Sequence, residues 1–303
     1  MRPLAVACAI SFIIIVSGCT LQPVVTTSNG VEIESFTADF GTVFHGEAVK
    51  FRMLVRNTGS SDAAEVFAEV LGIDQDWGPN PGTEKLPNEE ECRYTGSHFS
   101  LISPEPENGI PGEAHYCTWD YVAPDLDKGQ SITYDITGRV FYRYESTTTS
   151  SITLGSYDEI RELEESGQSL PIQTDTYTKG PMRIKIETKG TVRFSETEKS
   201  VEFPIYVTVE NTGTGTVCNV DDPNQCKEPE NQNKVDIYFS GSGITFDECD
   251  FTGLTVWSGV PNYYSCEARI SNLPEIIAQK TISASAEYSY YSDQETAVTV
   301  TGI

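Results

Sequence analysis

Val201-Glu202-Phe203-Pro204-Ile205-Tyr206-Val207-Thr208-Val209-Glu210-Asn211-Thr212-Gly213 reads as a β-strand and the turn that ends it. Val201, Phe203, Ile205, Val207 and Val209 are apolar at every second position, with Glu202, Thr208 and Glu210 between them. Side chains on a strand alternate between its two faces, so this pattern puts one face in a core and the other in water. Asn and Gly tolerate the backbone conformations of a tight turn, so Asn211-Thr212-Gly213 closes the strand.

The same unit stands earlier in the chain. Val55-Arg56-Asn57-Thr58-Gly59 matches Val209-Glu210-Asn211-Thr212-Gly213. Val49, Phe51, Met53 and Val55 supply the apolar face, and Lys50, Arg52 and Arg56 the polar one. Three further matches follow in the same order. Glu91-Cys92-Arg93-Tyr94-Thr95-Gly96 recurs as Glu248-Cys249-Asp250-Phe251-Thr252-Gly253, and Cys117 recurs as Cys266. Ile136, Gly138, Val140, Tyr142 and Tyr144 recur as Ile282, Ala284, Ala286, Tyr288 and Tyr290. The offsets are 154, 157, 149 and 146, so the copies differ by insertions and deletions in their loops. Ordered matches of this kind mark a duplication. Val235, Ile237 and Phe239, and Ile132, Tyr134 and Ile136, add further alternating runs. Val, Ile, Thr, Tyr and Phe dominate them, as strands favour.

The expected fold is therefore all-β: two tandem Ig-like antiparallel β-sandwiches with a short linker helix. Residues 31–155 form the first sandwich, 156–180 the linker and 181–303 the second, each expected to fold independently. The helix is read from Ser156-Tyr157-Asp158-Glu159, a capping box, with Ile160 and Leu163 on one face and Gly167 as terminator.

A strand ending in Val-x-Asn-Thr-Gly, and the Pro-x-Leu-x-x-Gly-Gln-Ser turn from Pro124 to Ser131, resemble the Ig-like repeats of prokaryotic, especially archaeal, secreted and surface proteins. CARDB-type adhesion-related repeats are the nearest named group. The resemblance implies a β-sandwich in an extracellular setting and a role in adhesion or spacing, and it brings no catalytic residues. The second copy departs from it, with Pro274-Glu275-Ile276-Ile277-Ala278 in place of the Gly-Gln-Ser turn.

The N-terminus gives an address. Arg2 precedes an apolar run from Leu4 to Val16. That run is shorter than the roughly 20 residues a spanning helix needs, so residues 1–18 read as a signal peptide. Val16-Ser17-Gly18-Cys19 resembles the lipobox of prokaryotic lipoproteins. The resemblance implies that Cys19 becomes the mature N-terminus and carries lipid, with residues 19–30 as a polar tether. The expected location is exported, at the cell membrane or cell surface. The expected membrane contact is through the lipid.

With Cys8 in the signal and Cys19 in the lipobox, six cysteines remain. Many pairings are open to six cysteines. The duplication selects one, because Cys92 with Cys117 and Cys249 with Cys266 are equivalent pairs. Cys218 and Cys226 are then left together across a loop that the first copy lacks. Disulfides suit an exported chain. A zinc site is the rival, disfavoured because no Cys-x-x-Cys spacing exists.

Acidic residues outnumber basic ones 45 to 20, for a net charge of −25. Such a chain repels phosphate backbones, which excludes nucleic acid as a partner. Asp74 with Asp76, Asp125 with Asp127, and Asp221 with Asp222 have the look of calcium ligands, but none continues into a full calcium loop, and turn chemistry explains them. No cofactor or metal is expected. The histidines are His45, His98 and His115, and no nucleophile elbow, zinc-binding His pair or phosphate loop accompanies them. No catalytic residue is assigned, and the chain is not expected to be an enzyme. Trp77, Trp119, Trp257, Tyr263 and Tyr264 fall near the cysteine pairs. Packing over the disulfides is the favoured role, with stacking on a sugar or a partner as the other. The function expected from the sequence is a non-catalytic surface or envelope protein acting in binding, adhesion or structure. Surface proteins or glycans are its candidate partners. Alternatives are a surface-filament subunit, in which an edge strand or the tether adds to a neighbour's sheet, and a secreted hydrolase or its accessory module.

Overall fold

The computed structural model describes residues 29–73, 76–79, 92, 98–247, 249 and 251–303. The signal, Cys19 and most of the tether lie outside them, as do Asp74 and most of the Glu-Cys-x-aromatic-Thr-Gly motif of the first copy. The described chain is all-β with one α-helix, and its sheets pack as sandwiches.

In the first copy, β1 (Val31–Ala38), β3 (Ala48–Asn57), β7 (Ala114–Val122) and β5 (Gly78–Pro79) form one antiparallel sheet in the order β1-β3-β7-β5. In the second, β10 (Met182–Glu187), β12 (Ser200–Asn211), β17 (Asn262–Ser271) and β15 (Ile244–Asp247) form its counterpart. Each copy ends in a very long strand, β8 (Ser131–Ser156) or β18 (Ala278–Thr301).

The two long strands pair with each other, antiparallel and without a register shift, from Ser131↔Thr301 to Leu154↔Ala278. They form the middle of one sheet that runs through both sandwiches. β4 (Ala63–Leu71) and β6 (Phe99–Leu101) extend it beyond β8, while β14 (Lys234–Ser240) and β16 (Phe251–Thr255) extend it beyond β18. The repeat divides the sequence at residues 156–180, but hydrogen bonding does not divide the fold there. A single apolar cluster runs from Val31 to Val300 through both copies.

Burial along the ladder explains the arrangement. Ile136, Val140, Tyr142, Tyr144, Ile152 and Leu154 of β8 are buried, as are Ile282, Ala284, Ala286, Tyr288, Tyr290, Val298 and Val300 of β18. All are even-numbered, and even residues pair with even ones. Both four-stranded sheets therefore cover the same face of the shared sheet.

The pairing has a pseudo-two-fold axis. Tyr142 and Tyr144 correspond to Tyr288 and Tyr290, yet Tyr142 pairs with Tyr290 and Tyr144 with Tyr288. Arg143 and Ser289 are both equivalent and paired, so the axis passes between them. Contacts across a two-fold are reciprocal, and short strands obey this. β2 (Thr42–Phe44), from the first copy, adds parallel to the end of β18. β11 (Val192–Phe194), from the second, adds parallel to the end of β8. Gly41-Thr42-Val43 and Gly190-Thr191-Val192 carry this exchange, a repeated triplet that the strand patterns alone do not bring out.

The helix α1 (Tyr157–Glu165) forms as its capping box dictates: Glu159 N donates to Ser156 Oγ at 3.2 Å and Ser156 N to Glu159 Oε2 at 3.4 Å. Ile160 is its buried residue. Gly167 takes φ of 71°, and Gln168 N reaches back to Leu163 O at 3.1 Å, a Schellman termination.

Candidate functional site: an uncharged hydroxyl face on the shared sheet

The Asn-Thr-Gly turns converge near the axis and fix its geometry. Asn57 Nδ2 donates to Ser61 O and Leu101 O at 2.8 and 2.9 Å, while its Oδ1 accepts from Gly59 N at 3.0 Å. Asn211 repeats the pattern, with Nδ2 donating to Gly215 O at 3.0 Å and Oδ1 accepting from Gly213 N at 3.1 Å. Both asparagines are fully buried. The Tyr144 hydroxyl accepts from Ser61 N at 3.0 Å, and the Tyr290 hydroxyl accepts from Gly215 N at 2.8 Å. A Cβ on Gly59 or Gly213 would collide with the hydroxyl of Tyr144 or Tyr290, which is why glycine closes both turns. Burial pushes the Tyr144 phenol up to about 12 and those of Tyr142, Tyr288 and Tyr290 up as well.

The copies also latch each other here. Ser60 N donates to Lys179 O at 2.8 Å, tying the first copy's turn to the segment entering the second. Thr214 N donates to Asn29 Oδ1 at 2.7 Å, tying the second copy's turn to the segment entering the first.

This framework presents the odd-numbered face of the β8–β18 ladder outward, in three regions. Over the axis, the residues from Asn219 to Asn233, which the first copy lacks, act as a plug. Cys218 and Cys226 pack with Phe67 and Phe141, whose rings stack at 4.7 Å. Ser289 Oγ donates to Val220 O at 2.7 Å and Lys227 Nζ to Glu69 Oε2 at 2.6 Å. Arg143 lies between Glu287, at 2.7 Å, and Asp221, at 3.6 Å.

In the first-copy half the outward face is charged or mixed near the axis, and only its narrow far end carries hydroxyl pairs, Thr133 with Thr299 at 2.9 Å and Ser131 with Thr301 at 3.4 Å. Arg139 makes a two-pronged ion pair with Asp293, both contacts at 2.7 Å. Thr137 faces Glu295, and Asp135 faces Ala297.

In the second-copy half, beyond the facing Glu145 and Glu287 next to the axis, the face is neutral and hydroxylated. β9 (Asp175–Tyr177) lies on the far edge of β8, so four strands take part. One row crosses Tyr238, Ser285, Thr147 and Thr178; the next crosses Ser240, Ser283, Thr149 and Thr176; the third crosses Thr281, Ser151 and Thr174. Every one of these side chains bears a hydroxyl, none is charged, and all are half-exposed or exposed. Thr149 Oγ1 and Ser283 Oγ are 3.1 Å apart, and Ser151 Oγ and Thr174 Oγ1 2.9 Å. The spacing is that of any sheet: about 4.8 Å across strands and about 6.7 Å along them. Tyr238 is 57% exposed at one edge. The sequence signal was the run Ser146-Thr147-Thr148-Thr149-Ser150-Ser151. Its significance depends on the partners that the ladder brings beside it.

The sequence-assigned residues sort as follows. Three cysteine pairs stand at disulfide distance, Cys92–Cys117, Cys218–Cys226 and Cys249–Cys266, with Cα separations of 5.7, 5.6 and 5.2 Å. They fit an oxidising, extracellular environment. No helix among the described residues is long and apolar enough to cross a membrane. His115 stacks on Phe99 at 4.2 Å and lies beside Cys92 and Cys117, whose sulfurs are its neighbours within 4.8 Å. His98 lies against Phe67 at 5.8 Å. His45 Nδ1 is 3.4 Å from Asp125, while Asp127 O accepts from Gln130 N in a turn. Asp222 caps the 3-10 turn at Pro223–Lys227 by accepting from Asn224 N. Trp77 and Trp119 are core residues, whereas Trp257 and Tyr263 are exposed. Compared with protein-family models and with curated protein sequences, the chain finds no match.

Proposed function

We propose that the chain is an exported, non-catalytic surface or envelope protein, held at a membrane by lipid on Cys19, that binds uncharged glycans through its hydroxyl face. The observation that carries the reading is the contrast within one ladder. In a chain of net charge −25, the rows from Tyr238 to Thr178 and from Ser240 to Thr176 form a neutral field rich in donors and acceptors. A neutral field does not repel anionic chains by itself, but the acidic surroundings do, so uncharged polymers are favoured. Tyr238 supplies a ring edge for a sugar at the rim. The shared sheet and the cysteine pairs keep the array rigid, which lowers the ordering cost of binding.

The test is retention of the mature full-length protein on insoluble neutral and acidic polysaccharides. Retention on a neutral polymer that persists at high salt, and is lost on Thr149→Glu with Ser283→Glu, is expected. Equal retention of that double variant sinks the assignment of the face. Membrane attachment is tested separately, since Cys19→Ser should release the protein from detergent-extracted membranes or leave it unprocessed.

A second reading, a surface-filament subunit, is favoured by one observation. Between β13 (Thr216–Cys218), which pairs with Ser289–Tyr291, and β2, which pairs with Thr299–Thr301, the edge of β18 has no strand partner among the described residues.

A further inference from the structure

The open stretch of β18 has a filled counterpart. By the offset of 146, Gln294, Glu295 and Thr296 correspond to Thr148, Thr149 and Ser150 of β8. Those three pair with Tyr177, Thr176 and Asp175 of β9. Thr178 N donates to Thr147 O at 2.9 Å and Ser151 N to Thr174 O at 3.0 Å. The added segment also serves the interior: Asp175 Oδ1 accepts from Ser150 Oγ at 2.7 Å, and Gln173 Nε2 donates to Ser150 Oγ and Ile186 O.

The equivalent stretch of β18 has no such strand among the described residues, and its inward side chains are also less well bonded. Ser146 Oγ bonds the Tyr288 hydroxyl at 2.7 Å, and Thr148 Oγ1 donates to Ile184 O. Their counterparts, Ser292 Oγ and Gln294 Oε1, are buried without a hydrogen-bond partner. A buried polar atom left in that state is costly, and folded proteins rarely tolerate it without a reason. The residues that carry these two atoms lie along an open strand edge, itself a template for pairing.

The repeat identifies an occupant of the right length. Val31 and Met182 hold equivalent places, opposite Asn57 and Asn211. Counting back equally from each, Val24-Val25-Thr26 stand where Asp175-Thr176-Tyr177 stand in the second copy. All three are β-branched, the residues strands favour most. Asn29 already crosses to the second copy's turn, as Lys179 crosses to the first copy's, so the chain is led to the edge from the symmetric direction.

We propose that Val24-Val25-Thr26 of the same chain add antiparallel to Gln294-Glu295-Thr296, with Val25 opposite Glu295. The pairing stands apart from the glycan and lipid readings, and it competes with the surface-filament reading, which needs the same edge. Where Cys19 carries lipid, the pairing leaves five residues from Cys19 to Val24, a reach of at most about 18 Å at 3.6 Å per residue. The first copy is then held close against the bilayer rather than swinging on a free tether.

The test uses the full-length mature protein carrying Val25→Cys and Glu295→Cys. Thr149 and Thr176 form a hydrogen-bonded pair type, for which a Cα separation of about 5.5 Å suits a disulfide. Non-reducing peptide mapping should find the two new cysteines joined within one chain. Joining only between chains overturns the assignment in favour of strand exchange with a second copy, and no joining overturns it outright. As a second measurement, Val25→Pro removes an N–H that would point at Glu295. It should lower Tm by about 2–4 °C, while Leu21→Pro, at the place of the exposed Ile172, leaves it unchanged; equal Tm values for Val25→Pro and the parent protein contradict the pairing.

Discussion

The two halves of the β8–β18 ladder agree on one face and disagree on the other. Inward, both copies bury equivalent tyrosines and equivalent asparagine turns against their four-stranded sheets. Outward, past Glu145 and Glu287, the second-copy half carries Thr147, Thr149, Ser151, Thr281, Ser283 and Ser285, where the first-copy half carries Arg139, Asp293, Glu295 and Asp135 before the hydroxyls of Thr133 and Thr299 at its end. The inward residues are tied to each other across the axis, so a change in one strands a buried partner in the other. The outward residues face water and are free to diverge. The difference locates the shared requirement of the duplication in its core and the specialisation of each copy on its back face.

The sharpest way to break this comparison is to remove the repeated asparagine from each copy in turn. Asn57→Ala strands Ser61 O, Leu101 O and Gly59 N, and Asn211→Ala strands Gly215 O and Gly213 N. Each should cost about 2–4 kcal/mol in urea unfolding, with similar values for the two. A large cost for one and none for the other shows that the copies are not equivalent at their centre.

The cysteine pairs come next. The chain-entropy model gives roughly 3–3.5 kcal/mol for the pairs that clip equivalent strands, Cys92–Cys117 and Cys249–Cys266, and about 2.5 kcal/mol for the shorter Cys218–Cys226 loop. That private pair is nonetheless fully buried over Phe67 and Phe141. Replacing it with alanines should therefore loosen the plug as well as lengthen the unfolded chain, and hydrogen exchange at Val220 and Ser289 should rise with the loss of stability. Non-reducing peptide mapping of the natural chain should return these three pairs. A link between Cys92 and Cys249 contradicts the whole arrangement.

Much of this was legible in the sequence, and what was not has a physical reason. Alternation marked the strands, Ser156 and Glu159 marked the helix, and Asn57 and Asn211 marked the turns, because each signal is local. The cysteine pairs followed from the duplication, since equivalent residues occupy equivalent places. Alternation could not show which strand lies beside which. Tyr142 reads as a core residue whether its neighbour belongs to its own copy or, as with Tyr290, to the other. For the same reason the hydroxyl face was hidden: Thr149 and Ser283 are 134 residues apart and meet only because the long strands pair.

The smallest effect concerns pH. Burial raises the tyrosine pKa values of the folded state above the ordinary value of 10.0, to about 12 at Tyr144. A raised pKa contributes stability that is fully present below the unfolded value and is lost as pH rises through the folded one. Stability should therefore hold up to about pH 10 and decline from there toward pH 12. In a spectroscopic titration, Tyr142, Tyr144, Tyr288 and Tyr290 should ionise only as the fold is lost. Phenylalanine at both Tyr144 and Tyr290 should flatten the alkaline decline.

The central claim is that the two copies share one sheet and one core, with β8 as an interior strand of the second copy as well as the first. It is tested most directly by expressing residues 181–303 alone under oxidising conditions. Without β8 the fragment has β18 exposed along the whole length at which it pairs, from Ala278 to Thr301. Its two-dimensional NMR spectrum should be that of an unfolded or aggregating chain, with native dispersion restored on co-expression with residues 29–180. A folded, monomeric 181–303 with native dispersion by itself would contradict the shared-sheet account.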